Sequence, residues 1–334
     1  MSRATGAPGA YTPKTPQASF TGPFCHLPVP RRSSDESDRG VSRTGQGAGR
    51  YASAAMIDLH SHSTCSDGSD GPHRIIELAA AAGCSAIALT DHDGLDGIEE
   101  AGHAAREHGI TFVPGCEVSC KFTPGTMHVL CYFVEPGEGP LQDQLERLRN
   151  DRATRNGRLI TRLRELGIDL TLDDVRAEAG GTTLGRPHFA SALVRKGVVA
   201  TYEEAFDNLL RKGGPAYIPK AFISAETTIE AAGGSRALAV LAHPLSLGLK
   251  ASDLERTIGE LADSGLTGLE CWYGRYTPEE RQRLLLIAKQ FGLVATGGSD
   301  YHGTFKPDLS IGTGRGDLEV PDSALNELTE RRER

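Results

Sequence analysis

With 334 residues, 38% hydrophobic and 24% charged, the chain has a globular composition and the length for one large domain or two ordinary ones. Its formal net charge of −8 argues against a general nucleic-acid coat and against stable DNA binding, and no apolar run approaches the ~18 residues of a membrane helix. No secretory signal opens it, and the seven cysteines (Cys25, Cys65, Cys84, Cys116, Cys120, Cys131, Cys271) are scattered and form no CxxC, so reduced thiols in a cytoplasmic protein are expected.

Residues 1–55 are rich in Pro, Gly and Ser and show no sustained periodicity. Such a segment buries too little apolar surface to offset the entropy of ordering it. It is Arg-rich and acid-poor like a transit peptide, but its Pro and Gly oppose the amphipathic helix such a peptide needs. It reads as a disordered tail, or as sequence upstream of a true start at Met56.

From Met56 short apolar runs alternate with helical patterns. "MIDLH" (56–60) predicts a strand, and 71–83 a helix with Ile75, Ile76, Leu78, Ala79 and Ala82 on one face and Gly83 at its end. Further strands are predicted at 85–93, 110–120, 127–134, 236–244, 266–273 and 293–300, and further helices at 94–108, 251–264 and 278–291. The last helix begins "TPEE", where Thr277 and Glu280 can form a capping box. Seven strands alternating with helices predict a parallel α/β barrel. A helical insertion at about 140–220 follows the fourth strand, with 14 Lys/Arg against 11 Asp/Glu. An insertion of this length reads as a lid or substrate subdomain, or as a decorative helical one.

The ionisable residues collect at strand ends. His60 and His62 end the first strand, with Asp67 five residues on; His92 ends the second and Glu117 the third. His243 ends the fifth, and Asp300 and His302 follow the seventh. The C-terminal ends of parallel strands share one rim, where active sites form. His128 opens the fourth strand and would need a local irregularity to reach that rim. Six of the eleven histidines fall at these positions, with three acids among them. Burying so many ionisable groups without partners costs several kcal/mol each, and a cluster of cations resolves it.

HxH with a following Asp-Gly, "TDHD", the Glu of the third strand and "GSDYHG" together resemble the PHP (polymerase and histidinol phosphatase) family over about 56–316. The insertion with "GRPHFA" resembles the TrpH-like subgroup, which acts on 3′,5′-nucleotide bisphosphates and, in some members, trims short RNA from the 5′ end. The resemblance implies a distorted (β/α)7 TIM-like barrel. It also implies three divalent ions, Mn²⁺, Fe²⁺ or Zn²⁺. One would take His60, His62, Glu117 and Asp300; a second would share Glu117 and add His128 and His243; a third would take Asp67, His92 and His302. Asp91 and Asp93 would orient these ligands, or serve as solvated caps.

The expected chemistry is in-line attack on phosphorus by a hydroxide bridging two ions about 4 Å apart, with no nucleophilic side chain. Arg186 in "LGRPHF" has the fork geometry for a second phosphate, or is a surface arginine. His188 is a general acid for the leaving oxygen or a packing residue, and Lys212 is a weaker phosphate ligand or part of a turn. Trp272 and Tyr273 either stack on a base or belong to the barrel core. The glycines of "GTGRG" (312–316) lack the strand–turn–helix context of a phosphate loop.

The expected activity is thus metal-dependent release of phosphate from a small phosphorylated nucleotide or a short RNA end. The alternatives are a phosphatase of another small monoester, such as a nucleoside monophosphate or histidinol phosphate, and a catalytically silent regulatory module. The sequence leaves the oligomeric state open.

Overall fold

A computed structural model describes residues 56–179 and 183–334. The expectations for residues 1–55 lie outside the described residues. Seven strands form one sheet in chain order: β1 (Met56–Asp58), β2 (Cys84–Leu89), β3 (Thr111–Cys120), β4 (Met127–Tyr132), β5 (Leu238–Leu241), β6 (Gly268–Tyr273) and β7 (Val294–Gly298). Beyond the ends of β1 and β7 the backbones meet through Leu59 N–H to Gly297 O (3.1 Å), Asp300 N–H to His60 O (2.8 Å) and His62 N–H to Tyr301 O (2.9 Å), which nearly closes the barrel.

The barrel is mixed rather than wholly parallel. β4 runs antiparallel to both β3 and β5; the other neighbours are parallel. The cause is legible in the connection: only residues 121–126 separate β3 from β4, too few for the crossover that parallel strands need. The reversal also corrects the expectation for His128. The first residues of an antiparallel strand lie at the rim where its parallel neighbours end, and His128 pairs with Ser119 near the end of β3 without any irregularity.

Strand residues alternate between two surroundings. On β2, Ala86 and Ala88 join the cluster of Ile57, Leu59, Val113, Leu130 and Val240. Ile87 and Leu89 instead pack with Ile75, Ile76 and Ala79 of α1 (Pro72–Ala82) and with Ala101, Ala104 and Ala105 of α2 (Ile98–His108). That is the period-2 pattern of a strand covered on both faces. Gly83 ends α1 in the left-handed conformation (φ 83°).

After β4 comes α3 (Pro140–Glu165), followed by α4 (Leu172–Arg176), α5 (Arg186–Arg195) and α6 (Tyr202–Ala205). Leu141, Leu145 and Leu148 of α3 join the barrel core, whereas Leu159, Ile160 and Leu163 join a separate core with Val175, Phe189, Leu193 and Leu209. One helix therefore ties the inserted segment to the barrel. α7 (Ala225–Gly234), α8 (Ala251–Asp263), α9 (Pro278–Gln290) and α10 (Ser323–Glu333) complete the chain, and Thr277 and Glu280 form the capping box of α9. Among the described residues no helix is long and apolar enough to cross a membrane.

Candidate metal centre

β1, β2, β5 and β7 stop earlier than their apolar patterns, because the backbone turns where the site begins. Asp93, His243 and Asp300 adopt positive φ (53°, 26° and 56°), conformations that side chains seldom take and that concentrate at functional sites. Two glycines allow the close approach. A Cβ on Gly298 would lie 2.4 Å from His60 N, and one on Gly68 would lie 2.3 Å from His62 O. These are the glycines of the "GGSD" and "CSDG" motifs.

All nine residues read as ligands converge. Glu117 sits at the centre. Its Oε2 lies 3.5 Å from His60 Nε2, 3.2 Å from His62 Nε2 and 3.1 Å from His92 Nδ1. Its Oε1 lies 2.9 Å from both His128 Nδ1 and His243 Nε2. Asp300 Oδ1 is 3.5 Å from His60 Nε2 and 3.3 Å from His62 Nε2. Asp67 reaches His302 Nε2 at 3.3 Å and His92 Nε2 at 3.7 Å. Among these nine residues four candidate ligand groups emerge: His60, His62 and Asp300; His60, Glu117 and His243; His92, Glu117 and His128; and His62, Asp67, His92 and His302.

The electrostatics call for positive charge. Burial opposes ionisation of Glu117, but His128, His92 and His60 outweigh it and hold the carboxyl well below its ordinary range. Asp67 and Asp300 are likewise held low against burial, Asp67 by His92 and His302, Asp300 by Lys306 and His302. Burial also disfavours a charged His62, yet Asp300 and Glu117 raise it to about 9; burial dominates at His92 and brings it to about 3. The His60 and His62 Nε2 atoms face one another at 3.1 Å, where only one of two neutral rings can donate. His92 Nδ1 is buried and, although 3.1 Å from Glu117, makes no hydrogen bond. Neutral imidazoles and carboxylates around shared cations satisfy all of these demands, so the donor set fits divalent metal.

The residues behind the ligands are buried as well. Glu270 Oε1 lies 2.8 Å from His60 Nδ1, and its Oε2 accepts from His243 N–H (2.6 Å). Tyr273 donates its hydroxyl to Asp300 Oδ2 (2.8 Å). Asp58 accepts from His60, Ser299 and Gly312 N–H, the last being the first glycine of "GTGRG". Asp91 and Asp93 are buried rather than solvated caps. Asp91 accepts from Ser63 and Ser66; Asp93 accepts from Ser119 N–H and pairs with Arg152 and Lys220.

The PHP domain family matches residues 58–217. A 3′,5′-nucleoside bisphosphate phosphatase of Chromobacterium violaceum is 33% identical over 77% of this chain and 91% of its own length. The chain belongs to the PHP family. A 5′-3′ exoribonuclease of Haemophilus influenzae is 33% identical over 73% of this chain and 89% of its own. A solved Bifidobacterium adolescentis protein, provisionally assigned as a metal-dependent phosphoesterase, matches with a TM-score of 0.74 at 33% identity, over 84% of this chain and 97% of its own. This PHP protein is a metal-dependent phosphoesterase, a hydrolase of phosphate esters.

Beside the PHP metal centre opens a cavity of about 300 Å³, lined by Asp67, His92 and His128 on the barrel side and by Arg152, Arg155 and Arg186 opposite. Lys220 also lines it. Lys212 does not: it is exposed, eight residues before the lysine that reaches the cavity. His188 is buried and is not among the cavity-lining residues; its Nδ1 accepts from Gly185 N–H at the start of α5. Trp272 packs against the barrel cores, and Tyr273 is committed to Asp300, so neither lines the cavity as a base platform.

The sequence reading missed Arg152, Arg155, Lys220, Glu270 and Asp58. Two signals were there. Leu141, Leu145, Leu148, Arg152, Arg155 and Leu159 follow one another at spacings of four and three, so the arginines occupy the buried stripe of α3. Asp58 and Glu270 are lone acids inside strands covered on both faces, where a charge requires partners.

Proposed function

We propose that this PHP enzyme releases phosphate from 3′,5′-nucleoside bisphosphates, or trims short RNA from its 5′ end, in the cytoplasm. The observation that carries this reading is the charge imbalance of the cavity. Arg152, Arg155, Arg186 and Lys220 line it, and among the described residues Asp93 is the one carboxylate paired with any of them. Arg155 is buried, donates to Asn156 Oδ1, and leaves Nε without a partner. Burial, with Arg152 and Arg186 adding repulsion, brings Arg155 down to about 10; burial likewise brings Lys220 to about 8 despite Asp93. Buried cations in excess call for an anion. A substrate with two phosphates supplies one to the metal centre and one to this cluster.

Three divalent ions, Mn²⁺, Fe²⁺ or Zn²⁺, would be held as follows: one by His60, His62, Glu117 and Asp300, one by Glu117, His128 and His243, and one by Asp67, His92 and His302. When bound, such ions supply Lewis acidity at phosphoryl oxygens and lower the pKa of water in the site. The protein's own part is to fix the rings and to hold the second phosphate. Glu270 fixes His60 and His243, Tyr273 and Lys306 fix Asp300, and the arginine forks orient the phosphate that is not cleaved. The insertion, which contributes all three arginines, acts as the substrate lid.

The test is phosphate release from adenosine 3′,5′-bisphosphate with added Mn²⁺. Release no greater than that of the double variant His60→Ala, His62→Ala would sink the reading; product mass identifies the phosphate that leaves. In Arg155→Ala with Arg186→Ala, KM for the bisphosphate should rise about 10- to 100-fold more than for a simple aryl phosphate, from charged hydrogen bonds of ~1.5–3 kcal/mol. Glu270→Gln should weaken metal affinity about 10- to 100-fold, with activity restored by excess Mn²⁺.

A further inference from the structure

We infer that Phe222 is the platform on which the substrate's base stacks, so that the cavity takes a nucleoside and not merely a pair of phosphates. This rests on the phosphoesterase reading above and names the third element of its substrate. Two large hydrophobic side chains are exposed among the described residues, and Phe222 is one of them, at 41%. It lines the cavity together with the metal-centre residues and the cationic cluster. It is not among the residues that pack against any of the hydrophobic cores.

The exposure of this ring does not come from a loose segment. On one side Lys220 is held by Asp93 and Ser119. On the other, Ile223 bridges to Cys120 and its carbonyl accepts from Lys121 N–H at 2.7 Å. The backbone around Phe222 is thus anchored at both ends to the rim of the barrel, and the ring is presented to the cavity. Lys220 Nζ lies 5.7 Å from the ring centroid, so a cation meant for phosphate and the aromatic face are adjacent. Phe206, from the insertion, lines the same cavity but packs against the insertion core, whereas Phe222 packs against no core and has Lys220 over one of its two faces, which leaves the other for a base. A π-face next to phosphate-binding cations is the arrangement that takes a base, and it does so without regard to base identity because every base has a π-face.

Two measurements test this on the metal-loaded full chain. Affinity is read by calorimetry with non-hydrolysable phosphonate analogues of adenosine 3′,5′-bisphosphate and of its abasic 1-deoxyribose counterpart; turnover is read with the two natural esters. Phe222→Ala should weaken the nucleotide about 5- to 100-fold more than the abasic compound, in both Kd and KM, with kcat changed little. Phe222→Trp should keep or improve the preference for the nucleotide. Equal loss for the two compounds, or no loss, overturns the stack whatever the turnover. A wild type that prefers the nucleotide analogue but hydrolyses neither ester supports the stack and overturns the phosphatase reading. Absence of any binding overturns both.

Discussion

Glu117→Gln should lose at least about a thousandfold in phosphate release, the equivalent of ~4 kcal/mol of transition-state stabilisation. The reason is that this single carboxylate is shared. One oxygen faces His60, His62 and His92 and the other faces His128 and His243, so no second residue can replace it. The amide keeps the shape but removes the charge that balances the imidazoles, and it places an N–H₂ against a nitrogen that must act as acceptor. Elemental analysis of the purified variant should show fewer bound ions per chain than wild type, with the circular dichroism spectrum unchanged. Full metal content together with wild-type turnover would refute the central role given to Glu117. Loss of turnover with full metal content would move its role from holding the ions to the chemistry itself.

Asp93→Ala should destabilise the fold by about 3–5 kcal/mol, because it leaves Arg152 and Lys220 buried against each other without a counter-charge. Asp93→Asn keeps the volume and the bond from Ser119 N–H, and isolates the effect of charge. The pH dependence follows from the direction of the shift. Burial works against the charge of Asp93, but Lys220 and Arg152 outweigh it and hold the pKa well below its ordinary 3.8. A depressed carboxylate contributes stability that is fully present above its unfolded pKa and is lost as pH falls through its native value. The melting-temperature gap between wild type and Asp93→Asn should therefore narrow as the pH falls below about 4. A gap that is absent at neutral pH would show that the pair contributes nothing net. Since Arg152 and Lys220 also line the cavity, both variants should lose affinity for the bisphosphate even where they remain folded.

How much of this was legible before folding differs from residue to residue. The candidate ligand positions were legible because barrel geometry sends strand ends to one rim, so His60, His92, Glu117 and His243 announce themselves by where the apolar runs stop. The helices α1 and α9 were legible because their caps and apolar stripes are local: Gly83 in the left-handed conformation, and Thr277 with Glu280. His128 was legible as a site residue but not in its geometry. A six-residue connection that excludes a parallel crossover held the answer, and counting strands as uniformly parallel hid it.

The cationic wall lay further out of reach. Arg152 and Arg155 sit in the stripe of a helix whose other members are leucines, and a long side chain in that position can as well snorkel to water as turn inward. Only the packing of α3 across the rim, with its first turns in the barrel core and its last turns in the insertion core, sends them to the metal centre. The same holds for Lys220 against Lys212 and for Phe222 against Trp272. Each pair looks equivalent along the chain, and a partner more than a hundred residues away, Asp93 for Lys220 and Cys120 for the segment that carries Phe222, decides which one faces the cavity. The sequence by itself thus pointed to the family, a seven-stranded barrel and nine candidate donors, because periodicity and motif spacing are local properties. Which cations, which aromatic and which buried carboxylates surround those donors was decided by tertiary structure alone, because burial and charge pairing arise only when distant segments meet.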